Sequence, residues 1–114
     1  MDLLKSLFGP PLPAVSPREA HAKLAGQPAP FLLDVRQPEE FRHERVAGAK
    51  LIPLNELPRR MKEVPQGREI LVICHSSARS SNATRQLISA GYNAVNVRGG
   101  LIGWQLAGLP IQKK

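Results

Sequence analysis

Along this chain, short and nearly continuous apolar runs are separated by segments in which apolar residues recur at helical spacing. The runs are Phe31-Leu32-Leu33-Asp34-Val35, Ala49-Lys50-Leu51-Ile52-Pro53, Glu69-Ile70-Leu71-Val72-Ile73 and Ala94-Val95-Asn96-Val97. These runs predict strands, and Glu69–Ile73, the most apolar of them, reads as a central strand of a parallel sheet buried on both faces. Between them, Ser16-Pro17-Arg18-Glu19 predicts a helix start, with Ser16 as cap, Pro17 in the first turn and Glu19 closing a capping box. Its buried face is Ala20, Leu24 and Ala25, and Gly26 ends it. Pro38-Glu39-Glu40-Phe41 opens a short helix with acids at its positive end. Asn55 to Val64 reads as another, with Pro58 in its opening turn. Ser80 to Ala90 reads as a third, with Ala83, Leu87 and Ile88 facing inward and Gly91 as its stop. Gly99-Gly100 turns into a last short helix carrying Leu101, Trp104 and Leu106. Strands alternating with helices predict the α/β class: one small domain with a central, mainly parallel sheet flanked by helices.

The N-terminus stands apart. Gly9-Pro10-Pro11-Leu12-Pro13 cannot be helical, so residues 1–14 read as a terminal segment and Pro-rich linker and residues 15–112 as the domain. Met1–Phe8 places Leu3, Leu4, Leu7 and Phe8 on one helical face, either a docking helix or a frayed terminus. Asp2 and Lys5 interrupt it and no small-residue cleavage site follows, so it does not read as a secretory signal. No run approaches the ~18 apolar residues of a membrane span. A cytoplasmic location is expected, which suits a free thiol.

Composition narrows the chemistry. The 114 residues contain one Cys, which excludes an internal disulfide, a Cys-rich zinc site and dithiol exchange. Aromatic residues make up 4%, poor material for stacking nucleic-acid bases, so no nucleic-acid partner is expected. The net charge of +7 is uneven, because residues 58–114 carry nine basic and two acidic groups while residues 1–57 are balanced. The excess is either a solvated basic surface or a field that draws anions to a site in the half that holds Cys74.

Cys74 directly follows the most strongly apolar strand, where ligands bind in open α/β sheets. His75-Ser76-Ser77-Ala78-Arg79 then leads to a helix. A loop of small residues can turn successive N–H groups inward as an anion-binding nest, and the helix start adds its positive dipole end. Such a setting favours the nucleophilic thiolate over a buried structural thiol, and Arg79 supplies a fixed cation.

At this point the sequence resembles the rhodanese-like family over most of residues 15–112. The resemblance is carried by Leu32-Leu33-Asp34-Val35-Arg36-Gln37-Pro38-Glu39-Glu40-Phe41, Val46-Ala47-Gly48-Ala49, Ile52-Pro53-Leu54, Val72-Ile73-Cys74, Arg79-Ser80, Gly99-Gly100, Trp104 and Gly108-Leu109-Pro110. It implies a sulfurtransferase in which Cys74 attacks a sulfane-sulfur donor such as thiosulfate, becomes a persulfide and passes sulfur to cyanide or a thiol. It also implies that the amides of His75, Ser76, Ser77 and Ala78 hold the persulfide and that Arg79 assists the anionic donor. No metal or organic cofactor is implied. The expected partners are a small sulfur anion or persulfide donor and a thiol or protein acceptor; the alternative is a sulfur-carrier or protein-interaction module without turnover. Similar-looking Cys-based phosphatases place five residues between Cys and Arg. Here there are four, which fits a sulfur atom rather than a phosphate.

Two departures from the family pattern stand out. Ser77 occupies a position where many relatives have Gly, so a positive φ there would strain it, or its hydroxyl would bond the persulfide. Glu44-Arg45-Val46 replaces the usual Gly-His-Ile. Asp34 and Arg36 read as turn hydrogen bonds with a salt bridge to Glu39 or Glu40, or as direct participants. His75 reads as loop-lining. Arg98, which ends the last strand, either faces the same mouth and binds anions or is a solvated Arg. Trp104 reads as core, and Arg59, Arg60 and Lys62 as an exposed helix face.

Overall fold

The computed structural model describes residues 11–113; Met1–Phe8, read as a docking helix or a frayed terminus, lies outside the described residues. The five-stranded sheet has the order β1-β6-β5-β2-β4, formed by β1 (Ala14–Val15), β2 (Phe31–Asp34), β4 (Lys50–Leu51), β5 (Glu69–Ile73) and β6 (Asn93–Val97). Every pairing in it is parallel. The small α/β domain with a central parallel sheet and flanking helices is therefore the architecture the apolar runs predict. The helices are α1 (Pro17–Leu24), α2 (Pro38–His43), α3 (Leu57–Arg60), α4 (Ala78–Ser89) and α5 (Gly100–Leu106), with 3₁₀ turns at Leu54–Glu56 and Met61–Glu63 on either side of α3.

Alternation along β5 divides the core between the two faces of the sheet. Ile70, Val72 and Cys74 join Leu33, Leu57, Ala83 and Leu87 on one face. Leu71 and Ile73 join Leu32, Val97, Leu101 and Trp104 on the other. The strand is buried on both sides, as its unbroken apolar composition requires. The capping box at Ser16 forms as expected: the Ser16 hydroxyl accepts from Glu19 N–H and the Glu19 carboxylate accepts from Ser16 N–H.

Some expectations are corrected. The helix expected from Ser80 begins at Ala78, so Arg79 lies in its first turn and the loop is Cys74–Ser77. Its inward stripe is Ser80, Ala83, Thr84 and Leu87, and Ile88 falls past the edge of that stripe, 40% exposed. Ala25 and Leu106 are also exposed. Asn55 to Val64 is not one helix but a series of short turns, with Pro58 in the opening turn of α3. β1, and the separate antiparallel pair of β3 (Glu44–Arg45) with β7 (Gln112–Lys113), were not expected, because two residues are too few to show a period. Tertiary hydrogen bonds define them, as where Asn96 N–H donates to Pro13 C=O and Arg98 N–H to Val15 C=O, both at 2.9 Å.

The tightest backbone approach joins α5 to the end of β5. Leu101 N–H donates to Cys74 C=O at 2.8 Å and Ile102 N–H to His75 C=O at 3.1 Å. Gly100 makes this possible: a β-carbon there would stand 2.5 Å from both carbonyl oxygens, and its φ is +56°. Gly100→Ala should therefore lower stability by about 2–4 kcal/mol from overpacking plus left-handed backbone strain. Gly108→Ala, also at positive φ but with open space around its β-carbon, should cost only the backbone share, about 1–2 kcal/mol. Urea denaturation of the two variants separates the contributions.

Candidate active site

The alternation of β5 points the Cys74 side chain toward α4, and the thiol is 1% exposed. With the Cys74 and His75 carbonyls taken up by α5, the following amides are free to face the sulfur. Ser77 N–H donates to Cys74 Sγ at 3.1 Å. Ser77 is the residue other than glycine with positive φ among the described residues, at φ 114° and ψ −20°. The strain anticipated for a serine in a glycine-like position is therefore present, at about 1–3 kcal/mol for such a conformation. Its hydroxyl accepts a hydrogen bond from Asn96 Nδ2 at 3.0 Å, and the contact to sulfur comes from its backbone.

Ser80, one turn into α4, completes the surroundings of the thiol. Cys74 Sγ–H donates to Ser80 Oγ at 3.3 Å, and Ser80 Oγ–H lies 2.6 Å from Asn96 Oδ1 and 3.2 Å from Ser77 C=O. Cys74, Ser77, Ser80 and Asn96 thus form one connected polar cluster in an otherwise apolar part of the core. The loop reading did not assign a role to Ser80 or Asn96. The available signal was Asn96 itself, a polar residue in the apolar run Ala94-Val95-Asn96-Val97 and only 4% exposed.

The charged residues are paired differently from expectation. Arg36 was expected to bridge Glu39 or Glu40; it folds back onto Asp34 instead. Its Nε lies 3.0 Å from each Asp34 carboxylate oxygen and its Nη2 2.9 Å from Oδ2. Both side chains are 2% exposed, and at that depth a charge must have an adjacent counter-charge. Arg36 Nη2 also donates to Glu44 C=O at 2.8 Å, tying the end of β2 to β3. Glu40 is taken by Arg79: Nη1 to Oε1 is 2.6 Å and Nη2 to Oε2 is 2.9 Å, a two-point contact between α4 and α2. The Arg79 hydrogen bonds, helped by Gln37 N–H, outweigh partial burial and hold the Glu40 carboxyl down to about 2. The same hydrogen bonds raise the Arg79 guanidinium above its ordinary value.

His75, Ser76 and Ala78 have exposed side chains, so their contribution to the loop is backbone and outline. The Arg98 side chain is 60% exposed and lies 3.7 Å from Glu19 at the start of α1. Trp104 is buried, with its Nε1–H donating to Pro110 C=O at 2.8 Å. Arg60 is tied to Glu56 and Glu63 on its own helical segment.

A thiol at the carboxyl end of the central parallel strand, cradled by a loop amide and the first turn of a helix, marks a small α/β domain with a single cysteine. Known proteins share the fold. The model of the family described as "Rhodanese-like domain" matches residues 16–107. A protein named sulfurtransferase from Allochromatium vinosum is 39% identical over 90 residues, covering 78% of this chain and 84% of that protein. Thiosulfate sulfurtransferase 18 of Arabidopsis thaliana is 36% identical, covering 85% and 82%. The crystal structure of a rhodanese-related protein from Thermoplasma volcanium superposes with a TM-score of 0.83 at 28% identity, over 90% of this chain and 99% of that one. The chain belongs to the rhodanese-like domain family.

The two ion pairs predict contrasting behaviour. Arg36→Ala leaves Asp34 buried without a counter-charge and should cost about 3–5 kcal/mol in urea denaturation. For the Glu40–Arg79 pair the sign follows from the depressed carboxyl, ordinarily at 4.5 and here at about 2. Its contribution is complete above the unfolded value and is lost as pH falls through the folded one. Thermal midpoints of the native protein and Glu40→Gln should therefore differ most at neutral pH and converge as the pH approaches 2.

Proposed function

We propose that the protein is a sulfurtransferase that works through a persulfide on Cys74. The observation that carries this reading is the Ser77 N–H on the Cys74 sulfur at 3.1 Å, in a loop with four residues between Cys74 and Arg79. The Cys74 thiolate attacks the sulfane sulfur of a donor such as thiosulfate. A new S–S bond forms, the donor's own S–S bond breaks, and the electron pair leaves with sulfite. The Ser77 amide meets negative charge on the Cys74 sulfur before transfer and again when Cys74 leaves the persulfide as thiolate, and Ser80 Oγ–H can turn from Asn96 to do the same. Cyanide or a thiolate then attacks the outer sulfur and Cys74 leaves as thiolate. His75, Ser76 and Ala78 outline the approach to the loop, and Arg98 is the more distant basic group. A cytoplasmic setting would keep the single cysteine reduced between turnovers.

A second reading, a sulfur carrier that delivers to a protein partner, is favoured by the Glu40–Arg79 pair. A guanidinium already neutralised at two points by a carboxylate is a weaker hold on a small dianion than a free one. Incubation with thiosulfate followed by intact-mass measurement tests the proposal. The expected result is an adduct one sulfur heavier, lost on adding cyanide and absent from Cys74→Ser. No adduct with any sulfane donor would refute both readings, while an adduct that resists small thiols and discharges only to a protein would select the carrier.

A further inference from the structure

Ser77 holds a backbone conformation that a β-carbon resists, and it does so where the chain has two directions to satisfy. Its N–H points at Cys74 Sγ while its C=O already accepts from Ser81 N–H at 2.9 Å in the first turn of α4. With a negative φ, the N–H and the chain running into α4 could not both keep these directions. Glycine would meet the requirement without cost; serine needs something to hold it.

Asn96 supplies the hold. It comes from β6, the strand beside β5, and each atom of its amide is engaged at the loop. Nδ2 donates to Ser77 Oγ at 3.0 Å and Oδ1 accepts from Ser80 Oγ–H at 2.6 Å. Ser80 in turn accepts from the thiol at 3.3 Å. One planar group therefore grips the residue before α4 and a residue in its first turn, and a residue able only to donate or only to accept could not make both bonds. Packing gives no reason for an amide here, since the neighbouring Val95 and Val97 are apolar and buried.

We propose that Asn96 is a positioning residue for the cysteine loop: its amide tethers the Ser77 hydroxyl and so keeps the Ser77 N–H on the Cys74 sulfur. The activity readout of this proposal rests on the sulfurtransferase reading; the structural readout does not. The consequence is a dependence between positions 77 and 96. Ser77→Ala keeps the β-carbon and discards the tether, whereas Ser77→Gly discards both and needs no tether.

Two quantities are measured in each variant: the hydrogen-exchange protection factor of the residue 77 amide by NMR, and the rate of sulfur loading from thiosulfate. Urea midpoints are followed alongside. Ser77→Ala should fall about tenfold below Ser77→Gly in both, the equivalent of one hydrogen bond of ordinary net strength. Asn96→Ala should cost about tenfold beside the native Ser77 and about twofold or less in the Ser77→Gly background. Equal values for Ser77→Ala and Ser77→Gly, or an Asn96→Ala loss of the same size in both backgrounds, would overturn the proposal. If Asn96→Ala does not fold, the two Ser77 variants decide alone. If the native protein takes up no sulfur, the sulfurtransferase reading fails and the amide protection still decides the role of Asn96.

Discussion

The whole site depends on where two carbonyl groups go. At the end of a parallel strand the backbone has polar groups on both sides, and those at the end of β5 are divided between two partners. α5 takes the Cys74 and His75 carbonyls through the N–H groups of Leu101 and Ile102. Two residues on, the Ser77 amide is turned toward the sulfur. Gly100 is the condition for the division, since no side chain fits between α5 and those oxygens. The glycine pair that opens α5 is thus as much a part of the cysteine loop as the loop's own residues, although it lies more than twenty positions further along the chain.

Charge is organised by the same economy. The two arginines closest to the site in sequence logic, Arg36 and Arg79, each face a carboxylate. Asp34–Arg36 is buried and fastens the end of β2 to β3; Glu40–Arg79 is partly open and fastens α4 to α2. The frame around the thiol is therefore held by ion pairs that leave little net charge, and the excess of +7 is distributed elsewhere on the protein. Around the thiol stand hydrogen-bonding groups fixed in place, with the Arg79 guanidinium already paired to a carboxylate.

These features differ in how far the sequence discloses them. β5 and Cys74 are legible because an unbroken apolar run followed by small polar residues has few other meanings in an α/β chain. Strain at Ser77 is legible through the family resemblance, because many rhodanese-like relatives have Gly at that position. Pairings are another matter. Arg36 and Glu40 are both conspicuous in the sequence, yet Arg36 turns back two residues to Asp34 while Glu40 reaches Arg79, thirty-nine positions away. No local pattern chooses between those partners, because burial of Asp34 decides the first and the packing of α4 on α2 the second. Asn96 is visible as a polar interruption in a strand, but its role appears only once β6 lies beside β5.

The order of these elements along the chain also bears on how the thiol comes to be what it is. Asn96, Gly100, Leu101 and Ile102 all lie C-terminal to the loop they organise, and β6 also carries the pairing with β1 at the other end of the chain. During synthesis Cys74 is made before any of them. Until β6 and α5 dock, it has no tethered Ser77 beside it and no helix drawing its carbonyl away, and its reactivity is that of any cysteine in an unfinished chain. The hydrogen-bonded surroundings of this sulfur are therefore acquired late, as a property of the completed fold rather than of the segment that contains it.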